Sequence, residues 1–299
     1  MAVTGPILVF LANGVQGGAV VRAGSRRGHG MRALLRAATI ADARPPGVDI
    51  SLGDLEQPES LATACAGVAH IVLQVPTSAA PTMVRQANNA VLAARQAGVS
   101  SIILKLASAS RPAPCSEPSF VANSAVEEVV RQSGIPFAIV RPTMYLDNLL
   151  KPSARAEIVR DGVFAPPIAV EQSIAWTSAD DCAEAAILLL ERGQYGGDHR
   201  VAGADSVQGR ELAERLSAGL NRRLSYRAQD LATFEREVDA SMGPGVGRAV
   251  ASKFRYFRDH PADTDAILAR PYEPAPPLEG FVPTSIENWA RAHSLLFRA

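Results

Sequence analysis

Apolar residues fall along this chain in short dense runs, separated by stretches with helical spacing. The runs at 7–10, 31–35, 70–73, 101–104 and 137–140 are nearly continuous. Runs of that kind suit strands covered on both faces, which have no solvent side to fill with polar residues. Between them, residues 17–25, 58–65 and 83–97 carry the mixed pattern of amphipathic helices. The third closes at Gly98, a residue that tolerates positive φ without a Cβ clash. A further helix over 122–132, followed by Ser133 and Gly134, feeds the run at 137–140. Strand alternating with helix predicts an α/β fold built on a doubly wound parallel sheet, with a third strand closing just before Asp54.

Beyond Arg141 and Pro142 the rhythm changes. A loop-rich stretch containing Pro152, Pro166 and Pro167 leads to a helix at 180–191 and a β-like run at 199–202. A helix at 207–220, a strand at 224–228 and a helix at 231–242 follow. Pro271, Pro274, Pro276 and Pro277 precede a last helix that begins near Ser285. Trp176 is expected in a strand joining the two regions, and Arg255, Tyr256, Phe257 and Arg258 in a packed surface cluster.

Charge narrows the function. Lys plus Arg and Asp plus Glu number 30 each, so no positive field draws the chain to nucleic acid or to an anionic membrane. The longest apolar runs, 7–12 and 185–190, are too short to span a bilayer. No basic segment followed by an apolar stretch opens the sequence, and Cys65, Cys115 and Cys182 lack a disulfide framework's pattern; a cytoplasmic protein with reduced thiols is expected. His29, His70, His199, His260 and His293 never fall at metal-ligand spacing, so no metal site is expected.

Candidate chemistry gathers where the first strand turns into the first helix. There Ala12, Asn13, Gly14, Val15, Gln16 and Gly17 offer small residues and a helix N-terminus, which together cradle a pyrophosphate. Gly18 would allow close packing of helix on strand. Leu11 stands where such a loop usually has its first glycine, so nucleotide binding is expected to be weakened or lost. A glycine-lined turn without a ligand is the competing reading. Arg36, closing the second strand, suits a ribose 2′-phosphate and hence NADP, or is a solvated surface arginine. Asp54 suits the adenine amino group, or is a turn residue before a helix. Gln74 and Pro76, with Val75 between them, follow the fourth strand and suit a wall beside a nicotinamide.

These stretches together resemble the NmrA-like family of atypical short-chain dehydrogenases/reductases. The resemblance rests on residues 14–22, 32–36, 53–55 with 58–61, 93–99, 133–142 with Tyr145 and Asn148, and 283–289. It implies a Rossmann dinucleotide-binding domain over 1–150 with a return segment at about 170–205, and a smaller, mainly substrate-binding domain over 151–299. It also implies a nicotinamide nucleotide, NADP, and a small-molecule substrate; a homo-oligomer is left open. The departures matter as much. With Glu127 matched to the family's helical glutamate, Asn123 stands where a catalytic lysine is usual and Ser119 where a tyrosine is open. A Ser–Asn pair hydrogen-bonds but supplies no low-pKa acid.

Other residues are candidates for the missing role. Lys105 ends the fifth strand, where open α/β sheets place ligands, though a structural lysine is the alternative. Ser108 matches a substrate-side serine or is a plain loop hydroxyl. Tyr145 is a relocated acid or a packed aromatic. Three functions stay open: a reductase of conjugated carbonyls or quinones that works without the Tyr–Lys pair, a redox-silent isomerase, lyase or cyclase, and an NADP-sensing regulatory protein.

Overall fold

The computed structural model describes residues 3–36 and 46–298. Seven strands make one parallel sheet: β1 (Ile7–Val9), β2 (Met31–Leu35), β3 (Asp49–Leu52), β4 (His70–Leu73), β5 (Ser101–Lys105), β6 (Phe137–Pro142) and β8 (Gly197–Val201). β7 (Val163–Phe164) and β9 (Ser225–Tyr226) pair separately. The large sheet runs β3-β2-β1-β4-β5-β6-β8. Ile7 aligns with Met31 on one side and His70 on the other, so β1 and β4 are neighbours from which the chain winds outward in opposite directions. The carboxyl ends of those two strands mark the switch point where open sheets bind ligands.

Burial explains the strand pattern. Ile7, Leu8, Val9, Ile71, Val72, Leu73, Ile102 and Ile103 are fully enclosed, as expected for inner strands with helices on both faces. β3 lies at the edge, and there Ile50 and Leu52 stay exposed. The helices in this part are α1 (Val15–Arg26), α2 (Pro58–Cys65), α3 (Ala80–Gln96) and α4 (Pro118–Arg131), and later α6 (Ala179–Arg192). α1 and α6 lie side by side, joined by ion pairs from Arg22 to Asp180, Arg26 to Glu184 and Arg27 to Glu191. Such half-exposed pairs add little stability each, but fix which faces meet.

The chain divides into two compact units. One comprises Met1–Pro142, Ala179–Val201 and Pro274–Phe281, and the other Thr143–Ser178, Ala202–Glu273 and Val282–Ala299. The second contains α5 (Pro152–Asp161), α7 (Gly209–Leu220), α8 (Leu231–Met242), α9 (Val246–Asp259), α10 (Pro261–Leu268) and α11 (Ile286–His293). Within it Trp176 is buried, edge-on to Phe164, which in turn meets Tyr226. Isolated bridges link Tyr145 to Thr177 and Ile174 to Val207, so the chain around Trp176 is extended without forming a full strand.

Two local readings needed correction. Pro152 does not mark a loop: it begins α5, where its missing N–H costs nothing, and the helix stops at Gly162 in a left-handed conformation. α4 begins at Pro118 for the same reason, four residues before its apolar pattern becomes evident. Arg255–Arg258, expected as a packed surface cluster, lie half-buried to exposed on α9, whose Arg255 pairs with Glu235 on α8.

Candidate functional site

The turn from β1 into α1 is built from backbone contacts. Phe10, fully buried, donates its N–H to the Val72 carbonyl at 3.1 Å and accepts from Gln74 Nε2 at 3.3 Å. Gln74, itself buried, therefore ties the end of β4 to the end of β1 at the switch point. The Gly14 N–H donates to the Leu11 carbonyl at 2.9 Å, which closes the loop, and the Gly18 N–H donates to the Gly14 carbonyl at 2.8 Å. A Cβ on Gly17 would fall 2.2 Å from the Leu11 oxygen, so no other residue fits beneath this turn. Leu11 adopts φ +52°. The tight turn usually made by a glycine thus survives with a leucine, at the steric cost of a left-handed L-residue.

This turn has the properties of an anion cradle. Gly14 caps α1 with no side chain, and the first turn of α1 holds no acidic residue. Its first N–H groups and the positive end of the helix dipole are therefore left for a ligand. Asn13, Gly14 and Val15 lie exposed around it, Val15 by 53%. Ala12 is buried beneath them, and Gln16 is half-buried. Small residues and an uncapped helix start without acidic side chains are the geometry and charge that an anionic group requires.

The remaining cofactor candidates occupy the same unit. Arg36 is exposed directly after β2. Asp54 is half-buried and uses Oδ1 to accept the Glu56 N–H at 2.9 Å, while its own N–H donates to Ser60 Oγ at 3.0 Å. One carboxylate oxygen therefore serves the turn into α2. Pro76 is exposed beyond Gln74.

Lys105 is 2% exposed, and its Nζ donates to Gln16 Oε1 at 2.7 Å. The end of β5 and the first turn of α1 are thus joined by one polar contact that sequence spacing gave no means of pairing. Asn123, on α4 and also buried, sends Nδ2 to the Ala109 carbonyl at 2.7 Å and to Ser108 Oγ at 3.0 Å. A weaker contact reaches the Ser108 carbonyl at 3.4 Å. Ser108 is half-buried. Ser119 is differently employed: its N–H and hydroxyl both donate to Glu117 Oε1, at 3.1 and 2.5 Å. Glu117 is a buried helix cap, and the sequence reading passed over it. An acid immediately before Pro-Ser at a helix start was the available signal.

One turn beyond Asn123, Glu127 is buried and receives Arg141 Nε at 2.9 Å and Nη2 at 2.5 Å. This pair binds α4 to β6 and so fixes the height at which Asn123 meets the loop after β5. Tyr145 belongs to the second unit, where it is 5% exposed and follows β6 into a short 3-10 turn, Leu146–Leu150. Burial pushes the Cys65 thiol up to about 11, which leaves it protonated and unreactive. Among the described residues no group of three or more His, Cys, Asp or Glu is placed to hold a metal, and no helix is long and apolar enough to cross a membrane.

Known proteins of the same fold match almost the whole chain. The profile of the NmrA-like family matches residues 4–289. A protein of Xenophilus azovorans described as an NAD(P)H azoreductase is 28% identical over 298 residues, spanning 98% of this chain and 99% of its own. Among solved structures, a nucleoside-diphosphate-sugar epimerase from Staphylococcus aureus superposes with a TM-score of 0.76 at 19% identity, over 96% of this chain and 100% of the other. Triphenylmethane reductase from Citrobacter sp., in complex with NADP(H), gives 0.73 at 21% identity, over 97% and 99%. These structural likenesses establish a shared fold.

Proposed function

Because this chain belongs to the NmrA-like family, we propose that it is an NAD(P)H-dependent oxidoreductase, with NADPH as its preferred donor and a small conjugated molecule as its acceptor. The observation that carries the reading is the β1–α1 turn, where Gly17 has no room for a Cβ and α1 begins without a side-chain cap. Ala12 to Gly17 would hold the pyrophosphate, Arg36 the 2′-phosphate and Asp54 the adenine. Gln74 and Pro76 would flank the nicotinamide, and Lys105 would set a positive charge beside it. When bound, the nucleotide supplies a hydride. The residues supply distance, orientation and exclusion of water.

The acceptor class follows from what the site lacks. Ser119 is committed to Glu117 and Asn123 is a neutral amide, so neither forms the phenol–ammonium acid that an unactivated ketone needs. Quinones, enones and azo compounds accept a hydride into a conjugated system and take their proton from water. The relative described as an azoreductase supports that class.

The test is a fluorescence titration with NADPH and NADH, followed by steady-state assays with menadione, an azo dye and a simple ketone. The proposal expects tighter binding of NADPH and consumption with menadione or the dye, but not with the ketone. Tight binding without consumption by any acceptor would replace it with a nucleotide-sensing role. Absence of binding would replace it with redox-silent chemistry.

A further inference from the structure

We propose that Asn123 is a positioning residue that turns the Ser108 hydroxyl into an oriented hydrogen-bond donor for the acceptor being reduced. This inference rests on the reductase reading above. It starts from a question of which end of the carboxamide faces the loop. Backbone carbonyls only accept hydrogen bonds, and the Asn123 terminal atom lies 2.7 Å from the Ala109 oxygen and 3.4 Å from the Ser108 oxygen. That atom is therefore the NH2, whose orientation is settled by its partners. One of its protons goes to Ala109. The other goes to Ser108 Oγ at 3.0 Å.

A serine hydroxyl has one proton and two lone pairs. With one lone pair filled by Asn123, its proton is directed away from α4. Among the described residues no acceptor takes that proton. Ser108 lies three residues past the end of β5 and is half-buried, so its hydroxyl sits beyond the carboxyl end of the sheet with a donor to offer. Asn123 is itself held by its helix, which Glu127 ties to Arg141 one turn further on. The arrangement gives a neutral donor of fixed direction in place of a charged, proton-transferring pair. Such a donor steadies negative charge that builds on the acceptor oxygen or nitrogen during hydride addition, and no proton need leave it. The role suits acceptors whose reduced anion is itself stable.

A double-mutant cycle read with NADPH and menadione tests this. Ser108→Ala is expected to lower kcat by roughly tenfold, the usual worth of one such hydrogen bond, with the dissociation constant for NADPH and the Tm unchanged. This variant leaves the bond from Asn123 to Ala109 intact, so the loop stays pinned. Asn123→Ala is expected to cost a similar factor, and the double mutant no more than Ser108→Ala alone. Ser108→Thr, which keeps the hydroxyl, should recover most of the loss. Multiplicative losses in the double mutant would overturn the proposal, because Asn123 would then act independently of Ser108. So would an unchanged kcat in Ser108→Ala. Failure of the unmutated protein to oxidise NADPH with any acceptor would instead overturn the reductase reading, and this inference with it.

Discussion

The Lys105 ammonium donates to the Gln16 carboxamide oxygen across 2.7 Å, joining the end of β5 to the first turn of α1. A buried ammonium is costly unless its donors are satisfied, and here one of them is met by a residue in the first turn of α1. The contact places a cation at the point where the proposal sets the nicotinamide. Lys105→Met keeps the stem's packing and removes the charge. The expected result is a fall in kcat on the order of a hundredfold with quinone, as for loss of one preorganised electrostatic group. An unchanged kcat at unchanged Tm would leave Lys105 a structural residue only.

Arg36 is exposed beyond β2, where a 2′-phosphate would meet it. The unmutated protein is expected to bind NADPH more tightly than NADH, and Arg36→Ala to erase most of the difference. The loss should be about 1.5–3 kcal/mol, typical of a charge-assisted contact partly open to water. Fluorescence titration of both nucleotides against both proteins measures it. Equal affinities in the unmutated protein would refute the preference for NADP.

Leu11 holds φ +52° at the place of a loop glycine. Leu11→Gly relieves about 1–2 kcal/mol of left-handed strain, but gives back about 0.5–1 kcal/mol in chain entropy and some apolar contact. Stability is therefore expected to change by no more than about 1 kcal/mol, while nucleotide affinity rises because a half-buried side chain leaves the cradle. Chemical denaturation and NADPH titration on the same samples read the two effects separately. Weaker binding at unchanged stability would mean that the Leu11 side chain supports the nucleotide rather than crowding it.

Much of this architecture was legible in the chain. α2, β4 and α8 fall where the apolar pattern put them. α5 was not legible, since Pro152 reads as a breaker in sequence and acts as a first-turn residue in space. α9 contains Gly247, whose missing Cβ admits the Glu235 backbone of α8, a tertiary requirement that looks like a loop signal in one dimension. In the site, Gly14 and Gly17 could be read from spacing alone. The bonds from Lys105 to Gln16 and from Asn123 to Ser108 join residues 89 and 15 positions apart, and no local pattern encodes them.

Burial holds the His70 imidazole below its ordinary value of 6.5, and His199 shifts in the same direction for the same reason. The folded protein therefore keeps both rings neutral at a pH where the unfolded chain has begun to bind protons. Their contribution is fully present above about pH 6.5 and is lost as pH falls from there through the folded values. Unfolding free energy measured by urea should decline across that window. His70→Gln, which keeps a polar partner for Ser101, should flatten part of the slope. An identical slope in the variant would show that His70 does not contribute.

The central claim is direct hydride transfer from NADPH to a conjugated acceptor within this fold. It is tested most directly by menadione reduction with the two stereospecifically deuterated forms of NADPH, one carrying deuterium on each face of the nicotinamide. A slowed transient rate is expected with one form and an unchanged rate with the other, since Gln74 and the β1–α1 turn would hold the ring with a single face toward the acceptor. Equal rates with both forms, at a level no higher than without protein, would contradict it.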